Sequence, residues 1–381
     1  MPTISSNFIK ESAKLLSRIR HSRFTLPILT HVLATVDANG ITLATTDLDR
    51  WLETRTDTNP GPSDPDSFLI PPDALKAMTR ADKNTFIQIT CKGPRKRREL
   101  RVVLVSGGIT VESRHPTLEA SELPARPVVE GADVVIPAKT LENLTVIAGC
   151  ASTDATRYVL NGVLFTPEEG GRLVATDGKK LGCTPAVVPP VAFIMPNTAV
   201  NVLAHPDFTA GDATMRLQTE AENQWVSIRA ARHHLMARII EGTYPSYQQV
   251  VPRDTPHLVT FSTEHRTTVI KWLRGLSDHD PAVNLSWERK GHLTLAQRTS
   301  SGISAVMRAP AEIEGTPPLI AFDPGYLADA LEIGSTLCLS DELSPGVCRH
   351  PNGRFCVLMP KRVTIATSEF VKAEAEAEKA A

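Results

Sequence analysis

The sequence predicts an α+β fold of three similar domains, each made of two helix-plus-strands halves, because one phrase recurs four times, a second recurs twice, and short alternating strands fill the intervals. The first phrase is an apolar stretch, a proline, then an amphipathic helical run. It reads FLIPPDALKAMTRADK from Phe68, VVIPAKTLENLTVIAG from Val134, FIMPNTAVNVLAHPD from Phe193 and IAFDPGYLADALEIG from Ile320. Each is a strand ending at a proline near a helix start, where the missing N–H costs nothing. Two further stretches, Asn7 to Arg20 and Ser262 to Leu276, share the length and period without the proline, giving six helices. Runs such as GITLATTDL, TFIQITC, LRVVLV, WVSIRA and HLTLAQR are hairpin strands separated by turn residues. The second phrase, ITLATTDLDRW from Ile41 and RLVATDGKKLG from Arg172, runs a strand into Thr-Asp and a turn. The domains are expected at 1–128, 129–253 and 254–367, followed by a tail at 368–381, ending in AEAEAEKAA, that is expected to be disordered or weakly helical.

Composition sets bounds. With 41 Lys+Arg against 42 Asp+Glu, bulk charge neither demands nor excludes a nucleic-acid partner, so placement decides. The six cysteines form no C-x-x-C pair, and neither a signal peptide nor a membrane span is seen, so a reduced, cytoplasmic compartment is expected.

The positive charge is patterned. At ~100° per residue, Lys10, Lys14 and Arg18 share one face of the first helix, opposite Phe8, Leu15, Leu16 and Ile19. Lys76, Arg80 and Lys83 do the same on the second, and Lys271 and Arg274 on the fifth. One such face is ordinarily a solvated surface. Three of one design suit a phosphate backbone carrying a charge every ~1.7 Å, contacted without regard to sequence. The third helix offers only Lys139, the fourth only His205, and the sixth carries Asp329 and Glu332, so the central domain should grip DNA weakly. The loop Lys92 to Arg98 (KGPRKRR) is a further basic segment.

No phosphate-binding G-x-x-x-x-G-K-[S/T], H-E-x-x-H or G-x-S-x-G is present, and the His233-His234 pair has the wrong spacing for two ligands on one helix face. Asp47, Asp49 and Asp177 sit in the repeated strand-turn phrase, where aspartate caps turns. Neither an enzyme nor a cofactor is expected.

Over the chain up to Val363 the sequence resembles the β subunit of bacterial DNA polymerase III, the sliding-clamp family. The resemblance rests on FTLPILTHVL from Phe24, TTDLD from Thr45, STDATRYVLNGVLF from Ser152, VATDGKKL from Val174, EGTYPSYQQVVP from Glu241, FDPGYLADAL from Phe322 and VLMPKRV from Val357, in that order. It implies a ring-shaped, head-to-tail homodimer that encircles double-stranded DNA and confers processivity. Its partners would be the polymerase III α subunit, an ATP-driven clamp loader and other proteins carrying the clamp-binding motif, with no membrane partner. Ile109 and Val111 would meet Leu276 of the partner subunit's third domain across the ring junction. Gly275 stands where the family usually has a larger apolar residue, a loss of ~1 to 3 kcal/mol if nothing repacks. A clamp-fold adaptor that binds peptides without closing a stable ring is the alternative, motivated by Gly275 and the sparse charge of the central domain.

The resemblance also implies a hydrophobic pocket for partner peptides formed by Leu160, Thr176, Gly178, Lys179, Lys180, Leu181, Pro245, Val250, Tyr326, Val357, Met359, Pro360 and Arg362, a lining suited to peptide anchors. Lys361 and Gln249 depart from the family there, replacing a usual apolar residue and a usual Arg. Arg23 matches a family DNA contact, whereas Asp154 falls where a carboxylate would repel phosphate. Phe370 and Val371 of the tail are candidates for folding back into the pocket.

Overall fold

The computed structural model describes residues 3–20, 26–38, 40–56, 66–94, 98–219, 224–276, 282–289, 291–299 and 302–365. The chain forms two compact units, Met1–Glu142 with Thr198–Ile239, and Asn143–Asn197 with Ile240–Ala381. Seven helices lie among the described residues: α1 (Ser6–Leu16), α2 (Pro72–Arg80), α3 (Ala138–Ala148), α4 (Asn197–Leu203), α5 (Pro206–Thr209), α6 (Thr263–Arg274) and α7 (Pro324–Ile333).

Helix starts obey capping chemistry. Ser5 Oγ accepts from the Phe8 amide at 3.2 Å, Ser262 Oγ from His265 at 3.2 Å, and Asp323 Oδ1 from Gly325 and Tyr326 at 3.0 and 3.2 Å. The faces sort as the pattern requires: Phe8, Leu15, Leu16 and Ile19 are buried, and so are Ala74 and Met78 of α2. Three expectations need correction. The first helix closes at Leu16 rather than Arg20. The second closes at Arg80, where Ala81 turns extended, so Lys83 lies in the following turn and not on the helix. The third copy is two helices: α4 stops at Leu203 and Pro206, unable to continue the ladder, starts α5 with the His205 ring as its cap.

All strand pairing is antiparallel and comes in four-stranded blocks, each a three-strand meander flanked by one strand that leads directly into a helix. In the first unit, the block Asp66–Ile70, Val32–Asp37, Gly40–Thr46, Arg50–Thr56 joins the block His233–Arg238, Trp225–Ala230, Ala213–Gln218, Val134–Ile136. The joint pairs Trp51 with Met236 and Leu52 with Leu235. In the second unit, Phe193–Pro196, Gly162–Thr166, Arg172–Thr176, Lys180–Pro185 joins Phe355–Leu358, Gly346–Arg349, Thr336–Leu339, His257–Thr260, with Glu312–Glu314 added at the far edge. That joint pairs Leu181 with Val357 and Gly182 with Cys356. One four-stranded block in each unit remains unjoined. In the first it is Thr3–Ser5, Phe86–Lys92, Glu99–Ser106, Ile109–Pro116; in the second, Ile320–Phe322, Val283–Arg289, His292–Thr299, Gly302–Pro310.

Candidate peptide pocket and nucleic-acid face

The repeated Thr-Asp phrase folds into the same turn twice. Thr46 Oγ1 donates to the Arg50 carbonyl at 2.8 Å and accepts from the Leu48 amide at 3.0 Å, while Asp47 Oδ1 accepts from the Arg50 amide at 2.8 Å. Thr176 Oγ1 donates to the Lys180 carbonyl at 2.7 Å and accepts from Gly178 at 3.0 Å, while Asp177 Oδ1 accepts from Lys179 and Lys180 at 2.8 and 2.9 Å. Leu48 and Gly178 hold the same left-handed backbone, φ 84° and 86°. The aspartates cap turns, as their sequence context requires.

The strand residue after the turn is not the same in the two copies, and this makes a pocket in one of them. In the first unit it is Trp51, whose indole is buried with Leu29, Trp225 and Met236. In the second unit the equivalent residue is Leu181, cross-strand from Val357. The smaller side chain leaves a hollow of about 170 Å³ lined by Leu160, Thr176, Gly178, Lys179, Lys180, Leu181, Pro245, Val250, Val357 and Met359, with Ser246 and Tyr247 in addition. Met359 is set in the wall by its amide, which donates to the Lys179 carbonyl at 2.9 Å. Val250 and Met359 are about half exposed, an apolar rim open to a ligand.

Ten residues expected in the pocket are therefore brought together there. Tyr326 instead lines an adjoining polar hollow of about 390 Å³, which shares Lys179 and Lys180 with the first and also holds Asp154, Arg157 and Asp177. Pro360 and Arg362 line neither. Lys361 turns away to pair with Asp323 at 3.1 Å, and its amide donates to the Ala321 carbonyl. Gln249 is exposed. Tyr247, nearly fully buried and with its hydroxyl pKa pushed up to about 12 by burial, was missed because an aromatic in a loop phrase reads as core. Phe370 and Val371 lie outside the described residues.

Lys180 is the buried charge of the site. Its ammonium pairs with the Asp329 carboxylate and lies 4.9 Å from the Tyr326 ring centre. Burial opposes the charge, but Asp329 more than offsets it and holds the ammonium above its usual range.

The basic residues separate into free and committed. Lys14, Lys76, Arg80, Lys83 and Lys271 are exposed and Lys10 partly so. None of the five lysines has a carboxylate in ion-pair reach among the described residues. Arg18 donates to the Asn201 carbonyl of α4. Burial, and then the nearby Arg18 and Lys14, lower the His205 pKa against the pull of Asp207. Arg274 is committed to α7, bonding Asp329 at 2.8 Å and Glu332 at 2.9 Å, and these carboxylates raise its pKa. Lys139 pairs with Glu142, and Arg98 with Glu119. Asp154 spends its carboxylate on the Thr156 amide and hydroxyl. Arg23 and residues 95–97 of the KGPRKRR loop lie outside the described residues.

Ile109 and Val111, 68% and 53% exposed, stand on an edge strand of the first unit's unjoined block. Leu276 is half-buried just past α6. Gly275 has ordinary backbone, φ −91°, and an added Cβ would come no closer than 3.4 Å to the Trp272 carbonyl, so nothing in the unit requires glycine.

No family model matches the chain. It is 27% identical to the beta sliding clamp of Caulobacter vibrioides over 93% of this chain and 99% of that one, and 27% identical to that of Synechococcus elongatus over 89% and 91%. Among solved structures it resembles the DNA polymerase III β subunits of Bartonella birtlesii (TM-score 0.79, 24% identity) and Pseudomonas aeruginosa (0.80, 22%), each covering 95% of this chain and 99% of the other.

Proposed function

We infer, from the premise that this chain belongs to the beta sliding clamp family, that it is a non-catalytic DNA sliding clamp that closes head to tail with a second copy around duplex DNA. One observation carries the ring. Each joint within a unit pairs the outer strand of a meander that precedes its flanking strand, Arg50–Thr56 or Lys180–Pro185, with the outer strand of a meander that comes after its flanking strand, His233–Arg238 or Phe355–Leu358. The two unjoined blocks are one of each kind. Gly302–Pro310 precedes its flanking strand and Ile109–Pro116 comes after its own. The same rule joins these two edges between copies, which is a heterologous contact that closes on two-fold rotation. Unpaired edge strands are otherwise a liability, and Ile109 and Val111 give this one an apolar seam. Six blocks read as three two-block domains, 1–128, 129–253 and 254–367.

Within that ring the free lysines of α1, α2 and α6 contact the phosphate backbone without reading sequence, and the pocket around Leu181 takes an apolar anchor of a polymerase or other partner peptide. Sedimentation velocity over a dilution series tests the reading. A species of twice 41.4 kDa is expected, whereas a monomer at micromolar concentration would overturn autonomous ring closure.

A further inference from the structure

The hairpin RAARHH, Arg229 to His234, has no part in the pocket, the basic helix faces or the ring edge. It borders a hollow of about 800 Å³ in the first unit, whose walls also carry Arg55, Arg126, Glu53 and Asp207. We propose that this hollow is a phosphate-binding site, with Arg229 as its principal anion ligand.

Donors outnumber free acceptors around the hollow. Of the two carboxylates in the walls, Glu53 is consumed by its neighbours: Oε1 accepts from Trp51 Nε1 and Arg126 Nε, both at 2.6 Å, and Oε2 from Arg126 Nη2 at 3.3 Å. Asp207 is held by His233 Nε2 at 3.1 Å. His234 is saturated too. Its Nδ1 lies 3.0 Å from Arg126 Nη2 and 3.4 Å from Glu53 Oε2, and its Nε2 lies 2.7 Å from Ser227 Oγ. Burial lowers the pKa of this ring, which stays neutral at pH 7.

The cations are less fully committed. Arg55 pairs with Asp37, and Arg232 with Glu11, each through one terminal nitrogen at 2.7 Å. Arg229 has no carboxylate in ion-pair reach among the described residues. Its Nε donates to His234 Nε2 at a long 3.5 Å, and the two terminal nitrogens of its guanidinium have no hydrogen-bond partner among the described residues. Asp133, whose carboxylate feels the Arg229 charge, is held by Arg216 through both oxygens. Donors in excess of acceptors, arranged as planar forks, match an anion with several oxygens, and phosphate fits this better than a single carboxylate. The hollow is larger than one phosphate, so an oligophosphate chain also fits.

The test uses the full chain with inorganic phosphate, pyrophosphate and a nucleoside triphosphate as probes, in calorimetric titrations at constant ionic strength. Saturable binding at one site per chain is expected. Arg229→Gln should weaken it about tenfold, and Arg229→Lys, which keeps the charge but not the fork, should fall between. Arg253→Gln, at an exposed position of the second unit, should leave the affinity unchanged. Preference for pyrophosphate would identify an oligophosphate ligand, and equal affinity a single phosphate group. Unsaturable binding, wild-type affinity in Arg229→Gln, or equal losses in Arg229→Gln and Arg253→Gln would each overturn the proposal.

Discussion

Lys180 and Asp329 form an ion pair beneath the pocket in which the lysine is buried and the aspartate three-quarters so. The pair ties the turn after Arg172–Thr176 to α7, and so holds the pocket's polar wall against the helix that carries Tyr326. Removing one member of a buried pair strands the other. Asp329 keeps Arg274 at 2.8 Å, which softens the loss. Lys180→Met should therefore destabilise the second unit by about 2 to 3 kcal/mol, below the full range for a stranded charge. Lys179→Met, an exposed neighbour, should change it by less than about 0.5 kcal/mol. Urea unfolding of both variants checks this, and equal midpoints would show the pair to be dispensable.

The correspondence of Trp51 with Leu181 offers a way to close the pocket without deleting anything. In Leu181→Trp the indole should occupy the hollow as Trp51 does in the first unit, at an overpacking cost of about 1 to 3 kcal/mol. Fluorescence polarisation with a labelled peptide bearing a leucine or phenylalanine anchor should show affinity falling about tenfold or more. Sedimentation should be unchanged, since the ring edges are elsewhere. Undiminished peptide binding would place the partner site away from this hollow.

Arg274 illustrates why charge placement on one helix is not the same as available charge. Glu332 and Asp329 hold it on the α6 surface. Glu332→Gln removes one of its two carboxylates while leaving Asp329 for Lys180. DNA affinity at low salt should rise about two- to fivefold, with a steeper salt dependence as Arg274, then held by Asp329 alone, becomes more available to a phosphate. An unchanged salt slope would mean that Arg274 does not face the nucleic acid.

Leu48 adopts φ 84° in a turn where the second copy of the phrase has Gly178, and its side chain is 44% exposed. Left-handed backbone costs a non-glycine residue about 1 to 2 kcal/mol, and the lost burial is small. Leu48→Gly should stabilise the first unit by about 0.5 to 1 kcal/mol after the extra unfolded-state entropy of glycine. Thermal unfolding checks it: a lowered midpoint would mean that the Leu48 side chain does more than its exposure implies.

Local signals were legible in the sequence and through-space partners were not. The Thr-Asp phrase announced two equal turns, and their hydrogen bonds agree atom for atom, because an Asx turn is written in consecutive residues. The strand-Pro-helix phrase located four helix starts, but Pro206 inside the third of these copies in helical register was a break that the amphipathic period concealed. Arg274 reads as a free cation until α7, 55 residues on, is placed beside it. Most pocket residues came from family resemblance. Periodicity could not separate Leu181 and Val357 from ordinary core, since they are core on one side and pocket wall on the other. The identical turn before Trp51, which leads into packed core, shows that the phrase alone does not make a pocket.

Acid should loosen the first unit in two stages, read near Trp51. Burial lowers the His233 and His234 pKa values below 6.5, so between 6.5 and those values the unfolded chain binds more protons, and stability falls as the pH drops. Glu53 behaves in the same sense at lower pH. Burial alone would raise its pKa, but His234, Arg126 and Trp51 bring it down to about 2 from a usual 4.5. Its contribution is complete above about 4.5 and is lost as the pH falls towards 2, roughly 3 kcal/mol in all at 1.36 kcal/mol per unit. Urea unfolding followed by tryptophan fluorescence at pH 7, 5.5 and 3.5 should show both losses in the wild type. In Glu53→Gln the upper stage should persist undiminished, because His233 is untouched and His234 loses the carboxylate that raises its pKa, and the lower stage should shrink. A Glu53→Gln variant that still loses the same stability between pH 4.5 and 3 would assign the acid stage to other carboxylates.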